Sequence, residues 1–191
     1  MSMDRVAAFG GDGWRWLNPP PDWHVDERGL RLVSGPGTDF WRTTHNGQER
    51  DDGHVLGRML TGDFRMTATF SADYRDRYDQ AGLMIRIDER NWIKAGIELD
   101  GGLHMSAVVT RDFSDWSVLP APEAADGPVT VELERDGETV TVRYRTAAAP
   151  VTMVRMAYLP PADEVLAGPM CAAPEGSGFE ARFTTLRLAQ A

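Results

Sequence analysis

The chain has one cysteine, Cys171, among 191 residues. An intrachain disulfide is excluded, as is a zinc site built on several thiolates, and a reducing, cytoplasmic setting is the expectation. Lysine is equally scarce: Lys94 stands alone beside 19 arginines. Long apolar runs are missing, and no stretch approaches the ~18 residues that a membrane helix takes. The opening Met1-Ser2-Met3-Asp4-Arg5 has no apolar run behind it and lacks the layout of a secretory signal. A basic excess is missing too. The 20 Lys+Arg stand against 29 Asp+Glu, a formal net charge of −9, which argues against a phosphate backbone or an anionic membrane as partner. Helical periodicity is the last absence: no window sustains apolar residues at i, i+3, i+4, i+7.

What remains is a chain of short alternating segments, 42% hydrophobic and punctuated by Gly, Pro, Asp and Asn. The segments at 30–33, 40–44, 64–71, 82–88, 92–99, 103–110, 129–135, 139–146, 151–159, 165–171 and 179–188 predict about eleven strands. Glu89-Arg90-Asn91 joins the clearest hairpin, and Asp100-Gly101-Gly102 and Asp136-Gly137-Glu138 are turns suited to positive φ. Connections this short require antiparallel neighbours. So many strands must fold into two packed sheets or a closed barrel. The length suits one domain spanning 1–191, large enough to bury about 70% of its unfolded surface without a disulfide or metal. Pro19-Pro20-Pro21 and residues 120–128 read as stiff surface loops.

Strand alternation sorts the central segment into two faces. Ile93, Ala95, Ile97 and Leu99 point to the intersheet core with Leu83, Ile85, Ile87, Met105, Ala107 and Val109. Trp92, Lys94, Gly96 and Glu98 point outward, beside Met84, Arg86 and Asp88 on one neighbour and His104, Ser106, Val108 and Thr110 on the other. Gly96 leaves a gap where a ligand could approach the sheet. An exposed face with aromatics and mixed charges suits a sugar, because rings stack on its apolar faces while charged groups bond its hydroxyls. A solvated cross-strand charge cluster fits the same periodicity.

Several of these blocks carry a family resemblance. They are Trp16-Leu17-Asn18-Pro19-Pro20, Thr38-Asp39-Phe40-Trp41-Arg42, the run from Tyr78 to Arg86 (YDQAGLMIR), the run from Asn91 to Glu98 (NWIKAGIE), Ser106-Ala107-Val108-Val109-Thr110, and Ser114-Asp115-Trp116-Ser117. Gly168-Pro169-Met170-Cys171 and Gly178-Phe179 complete the set. In combination they resemble the DUF1349 family of YesU-like and regulation-of-enolase-like proteins, over most of residues 14–188. The resemblance implies an all-β, concanavalin A-like lectin/glucanase fold, a two-sheet antiparallel jelly-roll sandwich. It implies no settled activity. The loop Thr146-Ala147-Ala148-Ala149-Pro150 looks trimmed against the family pattern.

On the residues, the expected reading is a carbohydrate or sugar-derived ligand on the concave face, held by Asp39, Trp41, Gln80, Arg86, Trp92, Lys94, Glu98 and Trp116. Trp92 and Trp116 would stack, Lys94, Arg86 and Gln80 would donate, and Asp39 and Glu98 would accept. Two alternatives stand beside it. One is a carbohydrate-active enzyme, a glycoside hydrolase or a sugar isomerase or lactonase, with Glu98 and Lys94 as catalytic candidates together with a loop aspartate such as Asp39, Asp79 or Asp115. The other is a regulatory protein acting through protein contacts in sugar metabolism. Glucanases on this sandwich use Glu-x-Asp-x-x-Glu; Glu98-Leu99-Asp100 begins it, but Leu103 holds the last position. Lys94 and Glu98 lie ~13 Å apart along the strand, so a ligand bridges them more easily than a direct bond. No cofactor is expected and no metal: the four histidines lack ligand spacing, and Asp51-Asp52-Gly53-His54 reads as a solvated turn before a calcium loop. Cys171 reads as a small buried apolar residue, and Ser117 lacks a nucleophile elbow.

Overall fold

Segments with a period of two, such as Phe64–Ala72, Asn91–Leu99 and Val129–Asp136, form the strands their alternation requires. The computed structural model describes residues 5–9, 11–148 and 150–190, with seventeen strands and one 3-10 turn at Pro122–Ala125 among them. Met1 to Asp4, and Ala149 of the trimmed loop, lie outside the described residues.

One sheet runs, in spatial order, through β1 (Arg5–Ala8), β2 (Gly11–Leu17), β7 (His54–Thr61) and β16 (Glu164–Ala172). It continues with β9 (Gln80–Arg86), β10 (Asn91–Leu99), β11 (Leu103–Arg111) and β12 (Phe113–Pro120). The second sheet runs through β15 (Thr152–Tyr158), β14 (Thr139–Arg145), β13 (Val129–Asp136), β8 (Phe64–Ala72), β17 (Glu180–Gln190), β4 (Gly29–Val33) and β3 (Asp22–Asp26). A short hairpin, β5 (Phe40–Arg42) with β6 (Glu49–Asp51), belongs to neither. Every ladder between these strands is antiparallel. The architecture is the expected sandwich.

The core lies between the sheets. Leu83, Ile85, Ile93, Ala95, Ile97, Met105, Ala107 and Val109 supply it from one side, and Met66, Ala68, Phe70, Val131, Leu133, Val140 and Val142 from the other. Each fully buried aliphatic side chain of this kind contributes about 1.5–3 kcal/mol. Cys171 is wholly buried in the same cluster, and burial pushes its thiol well above the ordinary range. No helix among the described residues is long and apolar enough to cross a membrane.

Six strands lie beyond the eleven that the alternation revealed, for local reasons. β7 reads His-Val-Leu-Gly because both of its faces are covered: Leu56 and Leu60 enter the main core while Val55 packs on the opposite side. β12 sits at a sheet edge, exposed for most of its length, so its pattern is irregular. The segment expected to continue to residue 44 stops at Arg42, because Thr43 and His45 adopt left-handed φ of 63° and 74° to turn the hairpin.

Candidate functional site

The even-numbered side chains of β10 rise from the outer face of the eight-stranded sheet, and the β5–β6 hairpin lies across half of that face. Phe40 meets the Trp92 ring edge-on at 6.1 Å between centroids. Together with Val55, Met84, Val108 and Met170 they form a second, smaller apolar cluster outside the sandwich core. Trp92 is only 1% exposed. It is therefore not the open stacking ring its outward position suggests: an indole facing outward is stabilised by whatever covers it, and here Phe40 covers it. Arg86 departs from expectation in the same way. Its guanidinium donates to both oxygens of Asp51 at 2.6 and 2.8 Å, so it anchors the hairpin and stands outside the lining of the cleft beyond it. Burial pushes the Asp51 carboxyl up, and Arg86 works against that rise.

Beyond the hairpin the face stays open as a cleft of about 620 Å³. Six of the eight expected residues come together on it: Asp39, Trp41, Gln80, Lys94, Glu98 and Trp116. That volume falls in the usual range for small-molecule sites.

The floor is polar and mostly buried. Lys94 donates through Nζ to Asp39 Oδ1 at 3.1 Å and to the Phe40 carbonyl at 2.7 Å. Asp39 Oδ1 also accepts from Gln80 Nε2 at 3.3 Å and from the Phe40 backbone N–H at 2.7 Å. Lys94 thus pairs with an aspartate 55 residues away in sequence, not with Glu98 on its own strand. Glu98 Oε2 accepts from the Trp116 indole N–H at 3.1 Å, and the same N–H lies 3.0 Å from Ser106 Oγ. Burial raises the Glu98 carboxyl above its ordinary range. The Lys94 charge and the Ser106 and Trp116 bonds pull it back, while the Asp39 charge adds to the rise.

Aromatic walls stand above this floor. Trp41 is half-buried and fixed by an indole bond to the Thr44 carbonyl at 2.8 Å. Trp116 stands edge-on to Tyr78 at 6.1 Å, and the Arg77 guanidinium lies over the Tyr78 ring. Tyr78 and His45 both line the cleft with left-handed backbone, at φ of 68° and 74°. For non-glycine residues this conformation costs of order 1–3 kcal/mol, and it tends to gather at functional sites. The hairpin loop adds His45, Asn46 and Gln48, and the loop after β16 adds Glu175. The sequence reading missed Tyr78 and these loop residues. Tyr78 opens the quoted run YDQAGLMIR, but loop residues carry no periodicity to show which way they face.

Gly96 has a different role from the one expected. It faces Gly82 across the ladder, and a Cβ on Gly96 would lie 2.0 Å from the Ala81 carbonyl oxygen. The glycine permits close strand contact. The void beside it, bordered by Gln80, Lys94, Glu98 and Ser106, measures about 10 Å³, room for about one water and not a sugar.

Asp115 is exposed on β12 and lines the cleft, whereas Asp79, Asp52, His54 and Ser117 are engaged by the protein itself. Asp79 is fully buried, and its Oδ2 accepts from the Arg75 and Asp76 backbone N–H groups at 2.9 Å each. Asp52 accepts from the Asp39 N–H at 2.8 Å and pairs with Arg50. His54 accepts through Nε2 from the Gly35 N–H at 2.9 Å, and its Nδ1 lies 2.7 Å from the Asn18 carbonyl. Ser117 accepts from Arg155 at 3.0 Å.

Comparison with known proteins agrees with this architecture. Regulation of enolase protein 1 from Saccharomyces cerevisiae is 37% identical over 175 residues, covering 91% of this chain and 87% of that one. A solved structure described as a functionally unknown protein from Saccharomyces cerevisiae superposes with a TM-score of 0.88 at 33% identity, over 93% of this chain and 96% of that chain. Carbohydrate binding module CBM66 from Bacillus subtilis shares the fold at a TM-score of 0.62 and 13% identity, over 93% and 96% of the two chains. The model of the family described as "Protein of unknown function (DUF1349)" matches residues 16–191, and the chain belongs to that family.

Proposed function

We propose that the cleft binds a carbohydrate or a sugar-derived small molecule. The observation that carries this reading is a cavity of about 620 Å³ whose walls are the Trp41 and Trp116 rings and whose floor is the buried Gln80, Lys94 and Glu98 with the half-buried Asp39. Indole rings offer flat apolar area to the faces of a sugar ring. The floor offers acceptors and donors already held in place, so binding orders few side chains. The fold shared with a protein described as a carbohydrate binding module supports the same reading. Arg86 and Trp92 take no part in contact; they hold the hairpin that carries Asp39 and Trp41.

A panel of neutral mono- and oligosaccharides and sugar lactones, screened by thermal shift, tests this proposal. At least one should raise the melting temperature, and Trp41→Ala should abolish that rise while the unliganded protein stays folded. No response to any member, or a response that survives Trp41→Ala, overturns it.

The environment of Glu98 favours a second reading, turnover with Glu98 as a proton donor. A carboxyl raised by burial holds its proton closer to neutral pH, as a general acid must. Product formed from the bound saccharide and lost in Glu98→Gln would establish it; binding without product leaves the cleft a recognition site.

A further inference from the structure

Nine large apolar residues among those described keep more than a third of their surface exposed, and eight of them fall within two short stretches. Phe113, Trp116, Val118 and Leu119 lie on β12, and the other four lie at 151–158, on or just before β15. These are the edge strands of the two sheets, and they meet. Arg155 on β15 donates to Ser117 Oγ on β12 at 3.0 Å, and the Arg111 guanidinium lies 5.6 Å from the centre of the Tyr158 ring. One border of the sandwich therefore concentrates its exposed apolar surface next to an eight-residue strand with an unpaired side.

The opposite border shows what a protected edge looks like here. β3 reads Asp-Trp-His-Val-Asp, with Asp22, His24 and Asp26 exposed, the charged pattern that keeps a free strand from pairing with another chain. β12 reads Phe-Ser-Asp-Trp-Ser-Val-Leu-Pro, with Asp115 its one charge, and the only charge of β15, Arg155, is turned onto Ser117. At about 200 Å² for a whole large side chain, the exposed fractions of the eight residues amount to roughly 800 Å². This area is divided between the cleft side of β12 (Trp116, Val118), its other side (Phe113, Leu119) and the β15 stretch. That total is the ceiling of what the border can give, and a stable interface takes about as much from one partner.

We propose that this border is a self-association surface, on which β12 pairs antiparallel with the β12 of a second copy and joins the two eight-stranded sheets. A two-fold contact of this kind is closed, so it ends at a dimer. A two-fold perpendicular to the sheet pairs residues of the same face, so centring the contact on Trp116 or on Ser117 sets Asp115 opposite Ser117 or Leu119, and no like charges meet. Trp116 belongs to both β12 and the cleft, so the seam runs beside the cleft wall.

Sedimentation equilibrium of the full chain across the micromolar range is the test. The expected result is twice the 21.2 kDa chain mass, with the amides of Phe113–Pro120 exchanging more slowly as concentration rises. Val118→Lys, which places on the edge the residue that most often guards one, should weaken association at least about tenfold (roughly 1.4 kcal/mol). Trp23→Lys on the opposite border should leave it unchanged. Should Val118→Lys melt well below the parent, Met156→Lys replaces it. A chain that sediments at 21.2 kDa at every concentration overturns the proposal, whatever else it binds. So does a dimer indifferent to both border variants.

Discussion

On the outer face of the seven-stranded sheet, Arg65 and Arg143 meet Glu132 and Glu134, with Arg143 at 2.9 and 2.6 Å from the two carboxylates. On the outer face of the eight-stranded sheet, Arg86 meets Asp51 and Lys94 meets Asp39 over similar distances. The cations of the first group leave 28–53% of their side-chain surface in water, while Arg86 and Lys94 leave 10% and 6%; the partner carboxylates range over 23–27% there and 41% and 17% here, for Asp51 and Asp39. Distance does not separate the two faces. Cover does: the β5–β6 hairpin and its loop lie over one, and nothing among the described residues lies over the other. A solvated pair trades water bonds for protein bonds at little net gain. A covered cation has lost most of its water and depends on its partner and on neighbouring dipoles, for Lys94 the Phe40 carbonyl.

Removing the cover should have the largest effect. Phe40→Ala should cost about 3–5 kcal/mol in urea unfolding, and the tryptophan emission should shift to the red as Trp92 gains water. A loss below about 1 kcal/mol would show that the second cluster is not a core and that the faces differ less than their burial suggests. The ion pairs come next and sharpen the contrast directly. Lys94→Ala takes the cation from the half-buried Asp39 and leaves the Phe40 carbonyl without its donor, and should cost about 2–3 kcal/mol. Arg143→Ala on the solvated face should cost less than about 1 kcal/mol, falling further in high salt. Equal losses at the two positions would break the comparison.

The smallest effect is the pH dependence of Glu98. Its folded pKa lies above its ordinary value of 4.5, so the folded state holds this proton more tightly than the unfolded chain does. The stability it contributes is complete below 4.5 and is lost as pH rises through the folded pKa. Glu98→Gln, which keeps a neutral side chain of the same shape, should therefore gain on the parent as pH rises above 4.5 in chemical unfolding. A difference that stays flat with pH, or shrinks, would mean that Glu98 is solvated like the carboxylates of the other face.

Alternation along β10 made its two faces legible in the sequence. Ile93, Ala95 and Ile97 went to the main core, and Trp92, Lys94 and Glu98 went outward, as the period of two requires. The same rule failed on Trp92 and Arg86, because it names the face a side chain leaves from and says nothing of what lies above it. It was blind to Tyr78 and His45, whose left-handed backbone belongs to loops. It could not find the Lys94–Asp39 bond, whose partners stand on separate elements joined by no pattern.

The sequence by itself determined the strands, the antiparallel sandwich and the side on which Lys94, Glu98 and Trp92 emerge, because side-chain alternation is a covalent property of each extended segment. Only the tertiary structure decided which of them are sealed and which still meet solvent. That choice turns on where the Phe40 hairpin docks, and docking depends on surfaces brought together from Val55, Met84, Val108 and Met170 on four different strands.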